Sequence, residues 1–195
     1  LKDNEGYSPA QHEGASLVGA RFAGECLYEA KFAGANLNGA NFHNANLQHA
    51  DLGGANLQHA NLQHANLRHA NLRHANLGSA DLRNADLDDA NLQAADLDDA
   101  NLDDANLRGA NLQDANLRHA NFMYADMHDV ILRNANLGGA NLSGVLGLMS
   151  AADYLDCLEK DGHGVLAYKR IRTGRTSFAP PGHWLIEPDS VMIEV

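Results

Sequence analysis

The chain alternates apolar and polar positions in a unit of five residues. From Ala15 it reads Ala-x-Leu-x-x almost without a break, as in Ala35-Asn36-Leu37-Asn38-Gly39 and Ala65-Asn66-Leu67-Arg68-His69. The central apolar residue falls at 17, 22, 27 and onward to 142, which makes 26 units. Every centre is Leu except Phe22, Phe32, Phe42, Phe122 and Met127. Two residues ahead of the centre stands Ala in 24 units, with Glu25 and Val130 as exceptions; between the two stands Asn or Asp in 21 units.

Period five fits neither common element. On an α-helix, steps of five advance about 500°, or about 140° net, so the leucines would wind around every side. On a flat strand, residues five apart face opposite ways. The pattern works if the chain turns a corner once per unit. The Ala and the centre, two apart, then both point inward from one short extended segment. Four corners close a square coil of about 20 residues, and stacked coils hydrogen-bond at about 4.8 Å. The units make about 6.5 coils, hence a rod of roughly 31 Å.

The Ala-(Asp/Asn)-Leu-x-x units resemble the pentapeptide-repeat family. The resemblance covers Ala15 to about Leu142. It implies an all-β fold, a right-handed quadrilateral β-helix. Leucine-rich repeats also carry Leu and Asn ladders, but they need uneven spacing over about 20–29 residues, which is lacking here. The Asn or Asp of each unit has a structural role to play: its short polar side chain can bond turn amides at the corner.

The two remaining positions of each unit face water and hold whatever functional information the rod carries. Residues 20 apart should stack, giving the columns Gln48, Arg68, Asp88, Arg108, His128; Gln63, Arg83, Asp103; and Asp98, Arg118. Opposite charges would thus meet on neighbouring coils, each pair adding about 0.2–1 kcal/mol. Asp86, Asp88, Asp89, Asp96, Asp98, Asp99, Asp103 and Asp104 crowd one coil. Asp88 and Asp98 lie on opposite sides and Asp103 on an adjacent one, so these acids form a belt around the rod rather than a stripe along it. The resemblance gives such acids a precedent: several relatives bind DNA gyrase as mimics of duplex DNA and confer quinolone resistance.

Eleven histidines raise the question of a metal. His59, His64, His69 and His74 fall in successive units, hence on four different sides, and cannot converge on one ion. His49 and His69 stack one coil apart, with His69 beside Asp89. A dedicated site needs three or four convergent ligands, and no metal or cofactor is expected. Protonating all eleven would take the net charge from −11 to zero, so solubility is expected to fall as pH drops through about 6.5 to 5.

Composition narrows the function classes. The 195 residues are 45% hydrophobic, mostly Ala and Leu, and 6% aromatic, which suits a repeated layer. Cys26 and Cys157 form no CxxC, so a disulfide scaffold, a Cys-based zinc module and an Fe–S site are excluded. The acidic balance argues against direct binding of nucleic acid. No apolar run approaches a membrane span and no signal peptide is visible, so a cytoplasmic location without membrane contact is expected. There is no G-x-S-x-G, P-loop or H-E-x-x-H, and carboxylates on a wet convex wall make poor acid–base catalysts, so no enzymatic activity is expected.

The ends differ from the rod. Residues 1–14 read as a flexible lead-in, 15–145 as the β-helix and 146–195 as a small α+β appendage. Phe22 and Phe42 share one side and flank Phe32, filling the first coils. Ser150-Ala151-Ala152-Asp153 is a capping box opening a helix to about Lys160. Strands are expected at Val165–Ile171 and near Thr176–Phe178, and extended chain at Trp184–Ile186 and Val191–Val195. The opening on Leu1 and the apolar end leave room for a longer natural chain. Lys169, Arg170, Arg172 and Arg175 form a basic patch, read first as a charged strand edge, with an acidic partner or the acidic belt of another copy as the alternative.

The function expected is a non-enzymatic scaffold or protein-binding rod, monomeric or an end-to-end homodimer. The alternative is an inhibitor of DNA gyrase acting as a DNA mimic. The candidate partner-binding residues are Asp88, Asp89, Asp98, Asp99, Asp103 and Asp104 on the rod, and the four basic residues of the tail.

Overall fold

The computed structural model describes residues 11–147 and the backbone of two later strands, β1 (Trp184–Glu187) and β2 (Ser190–Ile193). Between 11 and 147 the chain winds as one coil of 20-residue period. Parallel bridges join Asn36 to Asn56, Asn56 to Asn76 and so on from Gln11↔Lys31 to Asp126↔Leu146.

One unit accounts for the whole coil, because each of its five backbone N–H groups has a fixed destination. In the unit Ala55–His59, Ala55 N–H closes a turn on the Leu52 carbonyl at 3.0 Å. Asn56 N–H reaches back one coil to the Ala35 carbonyl (2.9 Å), while Leu57 N–H reaches forward to the Asn76 carbonyl (2.6 Å) and His59 N–H to the Gly78 carbonyl (3.0 Å). That leaves Gln58 N–H, which donates to Asn56 Oδ1 at 3.2 Å. The side chain of Asn or Asp therefore serves the one amide that the backbone ladder leaves over, and the same bond recurs from Asn36 to Asn141. The amide nitrogen of Asn adds a second bond, to the same position one coil earlier, as in Asn121 to Asn101 (3.1 Å) and Asn141 to Asn121 (2.9 Å).

The corner explains the fifth position. Its residue has φ between 54° and 60° wherever it is not glycine, as the third residue of a type II turn requires. Asn, Asp and His tolerate this left-handed region better than other non-glycine residues. Six histidines occupy it: His49, His59, His64, His69, His74 and His119.

Four turns per coil define four sides. In chain order their bridging residues begin at Gln11, Ser16, Arg21 and Cys26; they are called the first to fourth sides. Each side contributes one bridging residue between turns, too short for a continuous strand. The expected all-β architecture is therefore a ladder of single bridges, and β1 and β2 are the named strands among the described residues.

Inside, Ala and the central residues stack into an unbroken core. From Ala30 to Met127 every such side chain is 0–1% exposed. Burying a Leu side chain stabilises by about 1.5–3 kcal/mol, so this column dominates the stability of the rod. Among the described residues the coil already runs at Gln11, one unit ahead of Ala15, and His12 takes a centre position, its ring stacked on Phe32 at 5.3 Å. Phe22 and Phe42 stack at 5.0 Å on the third side, and Phe32, from the first side, meets them edge-on at 5.6 and 6.1 Å. Beyond Gly147, β1 and β2 pair antiparallel from Trp184↔Ile193 to Glu187↔Ser190, on the two segments read as extended. The capping box at Ser150, the helix to Lys160, the strands at 165–171 and 176–178, and residues 1–10 lie outside the described residues.

Candidate partner-binding surface

The candidate acids split by position in the unit. Asp88, Asp98 and Asp103 take the first outward position, where the turn half-buries them; Asp89, Asp99 and Asp104 take the exposed corner, with φ of 55°, 58° and 55°. Asp86 and Asp96 sit at the bridging position. Each accepts from the following turn amide and from an Asn one coil on, Asn106 and Asn116, at 2.8 Å. The 20-residue period sets Asp98 and Asp99 on the second side, Asp103 and Asp104 on the third, and Asp88 and Asp89 on the fourth.

The expected column pairs close only in part. Arg68 Nη2 donates to Asp88 Oδ2 at 2.8 Å, as the column predicts. Arg83 turns instead to Asp81 in its own unit, with Nε and Nη2 on the two carboxylate oxygens at 2.9 and 2.8 Å. Arg108 reaches Asp126 at 3.4 Å rather than Asp88. Among the described residues Arg118 forms no ion pair with Asp98. For Arg83 the reason is reach: Asp81, two residues earlier at the bridging position, lies close to the base of the Arg chain and holds both guanidinium nitrogens, so Asp103 one coil on is left out. Asp96, Asp98, Asp99, Asp103 and Asp104 meet no cationic group within ion-pair distance among the described residues. Asp98 Oδ1 and Asp103 Oδ1 are buried without a hydrogen-bond partner.

Two carboxyls have shifted acidities. The hydrogen bonds from Arg83 hold Asp81 below the usual carboxylate range against the opposing effect of burial, with help from Gln63. Burial pushes Asp126 up, but hydrogen bonds from the His128 ring and backbone, and the charges of His128 and Arg108, bring it below its ordinary value.

His49 and His69 stack at 4.9 Å with an interplanar angle of 14°, and His69 Nδ1 lies 3.7 Å from Asp89 Oδ2. Among the described residues no three His, Cys, Asp or Glu side chains converge to hold an ion. For the six corner histidines, His49 and His69 among them, the backbone supplies a sufficient reason, since they sit where the turn demands positive φ.

Sequence reasoning passed over one feature. Tyr124 occupies a corner on the third side and is 59% exposed. It stands directly after Met123, whose outward position is otherwise mostly polar along the rod. The signal was present, as an aromatic residue in a position filled elsewhere by Gly, Asn, Asp and His and once each by Glu29, Ser79 and Ala94. Lys169, Arg170, Arg172 and Arg175 lie outside the described residues.

A closed coil with a filled interior, a ladder of Asn side chains and a corner every five residues defines a class: a repeat rod whose chemistry is confined to its outer walls. The Pentapeptide repeats family matches this chain in eight copies, across 26–63, 50–89, 65–104, 85–123 and 110–146. The chain belongs to the pentapeptide-repeat family, and membership implies a right-handed β-helix. No curated protein matches the sequence. Solved structures similar to it include HetL, a pentapeptide repeat protein involved in heterocyst differentiation regulation from the cyanobacterium Nostoc sp. strain PCC 7120, 32% identical over 69% of this chain and 71% of that one, with a TM-score of 0.45. A pentapeptide repeat protein from the Arabidopsis thaliana thylakoid lumen is 32% identical over 55% of this chain and 71% of its own, also with a TM-score of 0.45. The plasmid-mediated fluoroquinolone resistance protein QnrB1, in a trypsin-treated variant, is 22% identical over 71% of this chain and 68% of its own, with a TM-score of 0.34.

Proposed function

We propose that the protein is a non-enzymatic scaffold that binds a protein partner along one wall of its rod. The observation that carries this reading is the division between inside and outside. Interior positions are uniform and closed to solvent from Ala30 to Met127, so they leave no room for a substrate. Most of the sequence variety lies at the two outward positions, on ladders with a rung about every 4.8 Å. Straight, rigid walls suit recognition of an extended or flat surface with little ordering cost.

Site-specific photo-crosslinking tests this. A photoreactive residue is placed in turn at Gln58, Gln63, Arg68 and Arg73, one on each side, and at the positions 20 residues on. The expected result is a partner crosslinked from one side at both coils and weakly from the others. Equal yields from all four sides would overturn the reading.

A second reading is inhibition of DNA gyrase by mimicry of duplex DNA. It is favoured by the acids from Asp96 to Asp104 that meet no cation. Against it stands their distribution around the rod rather than along one side. Titrating the protein into a gyrase supercoiling assay, with and without a quinolone, separates the two. Inhibition or drug protection at micromolar protein, abolished by charge reversal at Asp88, Asp98 and Asp103, would establish the mimic. No effect would remove it.

A further inference from the structure

One edge of the rod differs from the other three. Along it the corner residues of the fourth side follow one another, rung by rung, as Glu29, His49, His69 and Asp89. Two imidazoles are thus bracketed by two carboxylates. The other edges set no second corner imidazole on the next rung. His59 stands between Gly39 and Ser79, His64 between Asn44 and Asn84, His74 between Gly54 and Ala94, and His119 between Asp99 and Gly139. Positive φ explains a histidine at any one corner. It does not explain this succession, because Asn, Asp and Gly serve the same backbone.

Contacts along the edge orient both rings. The imidazoles of His49 and His69 stack at 4.9 Å, 14° from parallel, and the Tyr28 ring meets His49 edge-on at 5.5 Å. His69 Nδ1 faces Asp89 Oδ2 at 3.7 Å. A carboxylate beside one ring nitrogen favours the tautomer protonated there and leaves the Nε2 lone pair for a ligand, as in metal-bound histidines generally. Asp89 has room for this because the next corner is Gly109, where a Cβ would collide with Asp89 Oδ1. Arg68, adjacent to His69 in the chain, is turned to Asp88 at 2.8 Å.

We propose that His49 and His69 form a surface site for a divalent transition-metal ion that prefers imidazole, Cu²⁺, Ni²⁺ or Zn²⁺, with Asp89 as the positioning residue for His69. Two protein nitrogens hold the ion and water fills its other positions, so the site is weaker than a structural site of three or four ligands. With each nitrogen about 2.0–2.1 Å from the ion, the two nitrogens must lie about 3 Å apart. The stacked rings reach this by tilting towards each other about their exposed side-chain bonds, while the corner backbone stays fixed. The carboxylates of Glu29 and Asp89 add favourable charge. The site goes beyond the scaffold reading and does not rest on it.

Titration of the full chain with Ni²⁺ alone, read by calorimetry, and with Cu²⁺ alone, read by NMR, tests this. One ion per chain is expected, and substoichiometric Cu²⁺ should broaden the ring signals of His49 and His69 before those of the other histidines among the eleven. His49→Asn and His69→Asn keep a residue that tolerates the corner φ. Each is expected to weaken binding at least about tenfold. Asp89→Asn is expected to weaken it by about tenfold and to shift the His69 tautomer away from protonated Nδ1, seen in nitrogen NMR, which a merely structural role would not do. His64→Asn, whose ring meets His43 at 5.6 Å on another wall, and His74→Asn should leave binding unchanged. Equal broadening of all histidines, or a titration indifferent to His49→Asn and His69→Asn, would mean an adventitious ion only and overturn the proposal. So would a loss confined to one of the two, or an equal loss in His64→Asn. Crosslinking from a single wall would stand or fall separately, so failure here leaves the scaffold reading untouched.

Discussion

The coils between Asn36 and Ala125 and the last described coil, from Asp126 to Gly147, use the same five-residue unit with different results. In the middle, each central side chain has a like neighbour above and below and is 0–1% exposed. In the last coil Leu132 is 8% exposed and Ala140 7%, although the residue types are unchanged. The bridging position holds Ile131 and Leu146 there, 49% and 52% exposed, in place of Asn or Asp. Turn bonds lengthen to 3.4 Å at Val130 N–H to Met127 and Val145 N–H to Leu142. The repeat therefore has no fixed worth of its own. A unit is stable in proportion to the coils stacked on it, as expected of a nearly one-dimensional array.

Truncation of the core should separate the two regions most. Leu77→Ala, between two full coils, is expected to cost about 2.7–5 kcal/mol, because the straight ladder cannot collapse into the void. Leu137→Ala, with no complete coil beyond it among the described residues, should cost less than half as much. Urea unfolding midpoints compare them, and equal losses would break the distinction.

The corners give the next effect. A Cβ at Gly144, φ 73°, would strike the Tyr124 ring. One at Gly109, φ 64°, would strike the carboxylate end of Asp89, which can swing aside. Both alanine variants incur about 1–2 kcal/mol for the left-handed backbone, and Gly144→Ala should lose more. If thermal melts rank them the other way, Tyr124 is not fixed at the end of the wall.

The Asn ladder supplies a smaller, sign-changing test. Asn116→Ala removes the donor to Asp96 and the acceptor for Arg118 N–H, an expected loss of about 1 kcal/mol. Ile131→Asn restores the missing acceptor in the last coil and replaces an exposed apolar residue. It should stabilise by up to about 1 kcal/mol. A destabilised Ile131→Asn variant would mean that its apolar side chain is engaged.

Acid sensitivity is the smallest effect. The carboxyls of Asp81 and Asp126 have pKa values below the ordinary 3.8 in the folded chain. They bind protons less readily folded than unfolded, so their stabilisation is full above about pH 4 and is lost as pH falls through their lower folded values. Being partly exposed, each should contribute less than about 1 kcal/mol. In Asp81→Asn and Asp126→Asn, unfolding midpoints should fall less between pH 5 and pH 2.5 than in the parent, by amounts of that order; an undiminished fall would remove these two groups from the acid response.

Much of this was legible in the residues. Period five required a corner per unit, the Ala-x-Leu spacing named the inward pair, and the Asn between them was assigned to the turn amides, where Gln58 and its equivalents donate. These are local rules repeated along the chain, and repetition removes ambiguity. The candidate surface was less legible. The columns of Arg68 with Asp88, Arg83 with Asp103 and Asp98 with Arg118 followed from the period, but only the first closed as an ion pair. The period already set the successive histidines on different sides, away from a common ion; the positive φ of the six corner histidines added a backbone reason for them, and Tyr124 drew no notice.

The sequence by itself thus determined the coil, its period, its core and the side on which each residue lies, because backbone hydrogen bonding and burial act in register along every unit. Only the tertiary structure decided which charges are spent within the rod and which face outward unpaired. A long Arg side chain can reach more than one carboxylate, as Arg68 does with Asp88 at 2.8 Å and Asp86 at 4.0 Å, and only the folded geometry chooses among them. That choice leaves Asp103 without an ion-pair partner among the described residues, beside an Arg83 bound to Asp81.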